Sequence, residues 1–496
     1  MHVSDRLEAR LRRSGGMPLG RLGTSLAVAT MARRERAIPY WPIDRVRELQ
    51  QRRLHAVLEH ARATVPFYRD LLRDEAVQSV DDLARLPVID GGLLAADPMP
   101  FVADPYRTSG REVFKTSGSS SGLRKPIFWD HASLLLRSAR VERDRVVIAR
   151  LSGERWAAMI GREFLTTEIR HSVARWAGLT TRAHQRLLIL PGDFSNRTQR
   201  VVWSERTMIP RRPVHYHHLP PSVPFDVAAA HLRAIRPRVV FSFGSYVDQF
   251  LHFVHASSAD VPLPRLWVYL GDRVSAGGRE LADARGCALY SVYSAMEAGP
   301  IGFQCEERGG FHLNIDLCAV RVVDDEGRDV PAGEVGDIVI SPLDNRAMVL
   351  LNYRIGDRGA LSTEPCPCGR TLPLLARLDG RRSEIIRLAD GRELSSLAIE
   401  AAFGAELRQT VQAQIEQVAV GHLRWRIVPY GAHDRAALCE AFVARGRYAL
   451  GADTVIDVEC LDRLPTTSAG KFARVVTPPV SDRSPGASAS EGVPRG

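Results

Sequence analysis

Lysine is nearly missing from this chain. Of its 67 basic side chains only Lys115, Lys125 and Lys471 are lysines, and the rest are arginines. Long apolar runs are missing too. None approaches the roughly 18 residues of a membrane-spanning helix, and "LGTSLAVATMA" is too short and too closely flanked by arginines for a secretory leader. Seven cysteines, odd in number and unevenly spaced, exclude a secreted disulfide framework. The net charge of +10 comes without a basic block, because the arginines are mixed with 57 acids. That pattern describes an arginine-biased surface and not a nucleic-acid-binding face. No internal repeat is visible. The expectation is a cytoplasmic chain with no nucleic-acid partner and no stable membrane insertion, preceded by a basic extension, residues 1–39, whose one special reading is weak contact with a membrane surface.

A length of 496 residues exceeds what one core organises. Residues 44–76 read as a helix capped by Asp44 and interrupted at the proline of "ATVPFYRDLL"; a second helix is expected over 131–151. In the middle, short apolar runs ("RLLILPGDF", "RVVFSFGS", "LWVYLGD", "ALYSVYSA") alternate with helical stretches such as "DVAAAHLRAI" and "GGRELADAR". This is the pattern of an α/β sheet that is at least partly parallel. From about residue 318, "AVRVVDDEGRDVPAGEVGDIVISPL" predicts an antiparallel hairpin or a small barrel. The last hundred residues read as strand, glycine turn, strand, helix, strand. The expected fold class is therefore α/β: a large N-terminal domain of mixed and parallel sheets with helices and a β-rich subdomain (40–379), then a small mobile α+β domain (380–476). A tail of disordered composition (477–496) follows.

Two of the three lysines flank the stretch "VFKTSGSSSGLRKPIFW", and the third lies in "LPTTSAGKFARVV". Small residues let backbone N–H groups approach an anion, serines add donors, and a lysine adds a compact charge that arginine does not reproduce. Phosphate is the natural ligand, with a flexible polar linker as the plain alternative. A Walker A loop is excluded, because Gly118 and Gly122 are only four apart and no GK[ST] follows.

Five segments then fall into a known order. "TSGSSSG" resembles the phosphate loop of the adenylate-forming superfamily of acyl-CoA synthetases, luciferases and peptide-synthetase adenylation domains. "YSAME", "YRIGD", "GRRSEII" and "TSAGKFAR" resemble its Tyr-Gly-x-Thr-Glu motif, ribose motif, interdomain hinge and catalytic-lysine loop. "LQQRRLHAVLEHARATVPFYRDLL", "LARLPVID" and "CPCGRTLPLLARLDGR" are similar to phenylacetate–CoA ligases and their capsule-biosynthesis-like cousins. The resemblance runs from about residue 40 to 476.

It implies ATP-dependent activation of a carboxylic acid to an acyl-adenylate, then transfer to coenzyme A. Thr116, Ser117, Gly118, Ser119, Ser120, Ser121 and Gly122, with Lys125, would cradle the β- and γ-phosphates. Tyr293 would face adenine, with the backbone at Gly271 close by. Asp357 would take the ribose hydroxyls, Arg381 would lie near the nucleotide, and Glu297 would hold Mg²⁺. Lys471 would bridge the α-phosphate and the acid carboxylate. The acid is expected near "FSFGSY", beside Phe243 and Tyr246, and an aromatic acid is favoured only by the resemblance. The chain departs from the pattern in one extra residue between the loop glycines, in Ser294 for glycine, in Met296 for a hydroxyl donor, and in Ser383 for the hinge aspartate. These changes leave room for an amine, hydroxyl or carrier-protein acceptor, or for a catalytically weakened nucleotide-binding scaffold; as partners, a carrier protein and a second copy in a homodimer stay open.

Cys305, His312, Cys366 and Cys368 offer three thiolates and one imidazole, the donor set of a closed structural Zn²⁺ site. The tight C-x-C spacing leaves four unrelated residues as the alternative, and similar positions in the phenylacetate–CoA ligase group point to zinc. "HYHH" at 215–218 has no carboxylate partners nearby and reads as a loop or core feature. Cys287, Cys318, Cys439 and Cys460 read as small buried apolar residues.

Overall fold

In this computed structural model the described residues are 3–14, 20–74, 76–116, 125–153, 185–189, 214–219, 223–258, 260–430, 434–464 and 473–476. The apolar runs of the middle chain become strands β3 (Gln185–Ile189), β5 (Val239–Phe243), β6 (Leu266–Leu270) and β7 (Ala288–Ala295). With β4 (Val214–His218) they pair in parallel in the order β4-β3-β5-β6-β7. Parallel neighbours need a crossover, supplied here by helices Phe225–Ile235, Gly244–Ala256 and Ala276–Ala284. The turn from β5 into Gly244–Ala256 requires glycine, since a Cβ on Gly244 would lie 2.5 Å from the Asp272 carbonyl oxygen. The "HYHH" stretch is not a loop: it forms strand β4, at the edge of the sheet among the described residues.

From β7 the sheet continues antiparallel through β8 (Gly299–Phe303), β9 (Phe311–Leu313), β13 (Leu374–Arg381), β12 (Tyr353–Leu361), β11 (Gly336–Pro342) and β10 (Cys318–Val323), eleven strands among the described residues. Of the two forms expected near residue 318, the hairpin is the one realised, as the last two strands of this sheet; no barrel forms. Two further strands, β1 (Arg111–Lys115) and β2 (Pro126–Asp130), make a separate antiparallel ribbon.

The first long helix runs from Ile43 to Thr64 and a second from Pro66 to Asp74. Pro42 holds the capping position, and Asp44 sits in the first turn without capping the helix. The 131–151 stretch is two helices, His131–Arg140 and Glu142–Ser152, which meet at Val141. Asp130 caps the first, and Gly153, at φ 70°, ends the second.

The arginine-rich N-terminus folds inward. Helices Val3–Arg13 and Gly20–Glu35 pack on His131–Arg140, with Leu11, Val28 and Met31 in the main core. Their carboxylates join a buried ionic network. Arg143 reaches Asp316 at 2.7 Å and Glu35 at 2.5 Å, Arg53 reaches Asp316 at 2.6 Å, and Arg140 reaches Glu8 at 3.1 Å. Burial alone would push Glu8 up, but Arg53, Arg140 and Arg12 hold it far below the usual carboxylate range. Among the described residues no helix is long and apolar enough to cross a membrane.

The chain after the large sheet builds a second, four-stranded sheet. Strands β14 (Thr410–Ala419) and β15 (His422–Pro429) are antiparallel around Gly421 at φ 75°, and β16 (Val455–Cys460) and β17 (Val475–Val476) lie outside them. Helix Arg435–Leu450 covers a core of its own, with Phe403, Trp425 and Phe442 at its centre.

Removing one member of a buried ionic network strands the rest. Arg143→Met is expected to destabilise the protein by about 3–5 kcal/mol, read as a lower urea midpoint at unchanged m-value.

Candidate active site

A cleft of about 1520 Å³ opens where β5, β6 and β7 end, at their carboxyl ends, the place where open α/β sheets bind ligands. Phe243, Gly271, Tyr293, Glu297, Asp357 and Arg381 all line it. Strand β12 organises its floor. Tyr353 and Asp357 stand four apart on it, on either side of a bulge at Gly356, whose φ is 91°.

At the first of these positions the Lys125 ammonium donates to the Tyr353 hydroxyl at 2.9 Å and lies 3.8 Å from Glu297 Oε1. The Tyr353 hydroxyl donates to the same Glu297 oxygen at 3.4 Å. Burial, and then the Glu297 charge, push the Tyr353 phenol up, so it stays protonated. Lys125 and Thr116 close the neck of the serine–glycine loop: Thr116 N–H donates to the Lys125 carbonyl, and Lys125 N–H to Thr116 Oγ1, each at 2.9 Å. At the second position the Tyr293 hydroxyl donates to Asp357 Oδ2 at 2.9 Å, and Arg381 Nε stands 3.7 Å from Oδ1. Asp357 and Arg381 are register partners across β12 and β13. Burial, followed by the Asp357 charge, raises the Tyr293 phenol well above its ordinary value.

The structure thus brings Thr116, Lys125, Gly271, Tyr293, Glu297, Asp357 and Arg381 to one cleft. Ser117, Gly118, Ser119, Ser120, Ser121, Gly122 and Lys471 lie outside the described residues. Phe243 lines the cleft as expected, but Tyr246 does not. It turns into the apolar layer behind, 5.3 Å from Phe225 and 6.2 Å from Phe250, ring centroid to centroid. The Met296 side chain faces the cleft, and its carbonyl accepts from Trp129 Nε1–H at 2.9 Å.

No known protein-family profile matches the chain. It is 26% identical over 357 residues to a phenylacetate-coenzyme A ligase of Thermus thermophilus, covering 70% of this chain and 72% of that protein. Among solved structures it matches a 2-hydroxyisobutyryl-CoA ligase in its postadenylation state with an acyl-AMP bound, at a TM-score of 0.62 and 18% identity, over 88% of this chain and 91% of that one. Against the same enzyme with acyl-AMP and CoA in its thioesterification state, over the same shares of the two chains, the TM-score is 0.50 at 18% identity. The chain has the fold of the adenylate-forming CoA ligases. The resemblance carried by the five ordered motifs holds for the architecture as a whole.

Beside the cleft, Cys305, His312, Cys366 and Cys368 bring one donor atom each to within 4.8 Å of one another. Cys305 Sγ is 3.6 Å from Cys366 Sγ, and Cys368 Sγ is 3.3 Å from His312 Nε2. A tetrahedral zinc site has edges of about 3.5–3.8 Å, so the donor set fits. His312 Nδ1 faces the Leu372 carbonyl at 3.3 Å, which leaves Nε2 to the cluster. Burial pushes His312 down to about 4, so the ring is neutral at pH 7. Gly369, at φ 81°, turns the chain after Cys368. Cys287 and Cys318 are buried as expected; Cys439 and Cys460 instead are half-buried and face each other at 3.0 Å.

A polar seam joins the four-stranded unit to helix Gly244–Ala256. Arg474 bonds Asp248 at 2.6 Å and Glu400 at 2.8 Å, Arg273 bonds Glu400 at 2.9 Å, and Gln412 bonds Gln249 at 2.6 Å. His252 Nδ1 meets the Tyr430 hydroxyl. Sequence reasoning missed this seam. Its signal was the polar stripe Asp248, Gln249, His252 on an otherwise apolar helix.

Burial lowers the His252 pKa; Asp248 opposes that, while Arg474 and His255 add to it. The neutral ring is therefore the folded form. Its stabilisation is complete above the ordinary histidine value of about 6.5 and is lost as pH falls through the lower folded value. Acidification below about pH 6.5 is expected to speed amide exchange in residues 425–430, corrected for intrinsic rates, and His252→Gln is expected to flatten that dependence.

Proposed function

We propose that this chain activates a carboxylic acid with ATP and passes the acyl group to coenzyme A. The observation that supports this most is the convergence of Glu297, Asp357 and the neck of the serine–glycine loop on one cleft. In the first step an oxygen of the acid carboxylate attacks the α-phosphorus. The bond from that phosphorus to the pyrophosphate oxygen breaks, and pyrophosphate leaves. In the second step the thiol sulfur attacks the acyl carbon, the bond to AMP breaks, and the thiol proton goes to solvent.

Thr116 to Gly122 would hold the β- and γ-phosphates, and Asp357 the ribose hydroxyls, with Tyr293 and Arg381 fixing its orientation. Glu297, with one oxygen held by Tyr353 and Lys125, would hold Mg²⁺, which would neutralise phosphate charge. Lys471 would bridge the α-phosphate and the attacking carboxylate as charge builds. Residues 40–379 and 380–476 would act as two bodies that turn about 380–384 between the steps, with the polar seam as one docked state. A cytoplasmic setting suits free thiols and the proposed nucleotide and coenzyme A.

Pyrophosphate release with a panel of acids, with and without coenzyme A, tests this directly. Lys471→Ala is expected to slow adenylation by about 10²–10³-fold while ATP binding is retained. Equal rates of adenylate formation in variant and parent would overturn the role of Lys471. Turnover without coenzyme A but with an added amine, alcohol or carrier protein would reassign the acceptor. ATP binding without any turnover would identify a scaffold.

The Cys305, His312, Cys366, Cys368 cluster would hold a structural Zn²⁺ that pins the β12–β13 loop to β9. Metal analysis should find about one zinc per chain. Cys368→Ser is expected to lower both the zinc content and the stability, the latter by more than about 2 kcal/mol.

A further inference from the structure

The buried arginines of the large-sheet body hold carboxylates. Arg53 and Arg143 share Asp316, Arg140 takes Asp344 and Glu8, and Arg321 takes Asp329. Arg137, one turn before Arg140 on the same helix, is different. No carboxylate or hydrogen-bond acceptor among the described residues meets its guanidinium. Its recorded contact is the face of Trp129, 5.6 Å from the ring centroid. Trp129 is fully buried and is fixed by its bond to the Met296 carbonyl. Arg137 is half-buried and opens into the cleft.

Its guanidinium lies beside Gly299, at the start of β8, and joins neither the Lys125–Glu297 nor the Arg381–Asp357 pair. Burial lowers its pKa, and the fields of Asp344 and Asp144 partly offset this. A desolvated cation without a counter-charge is costly, and no carboxylate among the described residues pairs with Arg137. An anionic ligand in the cleft would supply that charge.

We infer that Arg137 binds a second carboxylate, carried by the acid substrate at the end remote from the carboxylate that is activated. The substrate class is then a dicarboxylic acid. This inference rests on the acid-activating function proposed above. The planar guanidinium fork matches both oxygens of a carboxylate. Trp129, buried beneath it, holds the guanidinium in place by cation–π attraction. A phosphate of ATP would satisfy the same fork, and the experiment separates the two sources.

The test uses the full chain and matched acids that differ only in a distal carboxylate: 1,4-phenylenediacetate against phenylacetate, and adipate against hexanoate. The parent protein is expected to favour one diacid over its monoacid by at least about 10-fold in kcat/KM for pyrophosphate release. Arg137→Met should collapse that ratio by about 10-fold or more, through KM, and Arg137→Lys should restore part of it. Monoacid preference in the parent, or equal losses for both acids in Arg137→Met, would overturn the inference. So would weaker ATP binding by acid-free Arg137→Met, because the partner would then be phosphate. If no acid releases pyrophosphate, the adenylation reading fails by itself, and calorimetry of the two diacids decides Arg137: binding lost in Arg137→Met supports the carboxylate site, and no binding by the parent overturns it.

Discussion

Strand Tyr353–Leu361 holds the site together. Tyr353 anchors Lys125 and Glu297 from beneath, and Asp357 anchors Tyr293 and Arg381. Between them the strand bulges against β11, with Gly356 at φ 91°. Such a bulge re-aims the side chains that follow it. The geometry of the site is therefore set by backbone pairing, and by its local irregularity, in the middle of a large sheet.

The scarcity of lysine gains a physical meaning at Lys125. Its ammonium fits between Tyr353, Glu297 and the helix that begins at Gly91, where even a Cβ on the glycine would come within 2.7 Å of the nitrogen. A guanidinium is broader and planar and does not fit such a niche. The arginine bias of the chain stops where geometry demands a point charge.

Much of this was legible from the chain itself. The parallel strands announced themselves as short apolar runs, and Glu297, Asp357 and the four metal-type donors were visible because their chemistry restricts residue choice and spacing. Other features exist only in three dimensions. The N-terminal arginines read as a basic surface, yet the helices that carry them bury Leu11, Val28 and Glu35 against the core. Tyr246 seemed placed for a substrate by its neighbour Phe243, but the helical turn carried it into the aromatic layer behind. That no carboxylate among the described residues pairs with Arg137 could not be read from sequence at all, because it depends on how the folded elements meet. The break at Val141 was hidden by apolar periodicity that continues across both helices.

The seam at helix Gly244–Ala256 has an unusual economy. Asp248 accepts from Ser275 N–H and Oγ–H as well as from Arg474. Were Arg474 to withdraw, Asp248 would keep two donors, and Arg474 and Glu400, which belong to the same unit, would keep each other. Parting the two surfaces would thus leave Asp248, Arg474 and Glu400 each with a partner, while Arg273 would give up Glu400. Such a joint would act like a detent, defining a position without locking it.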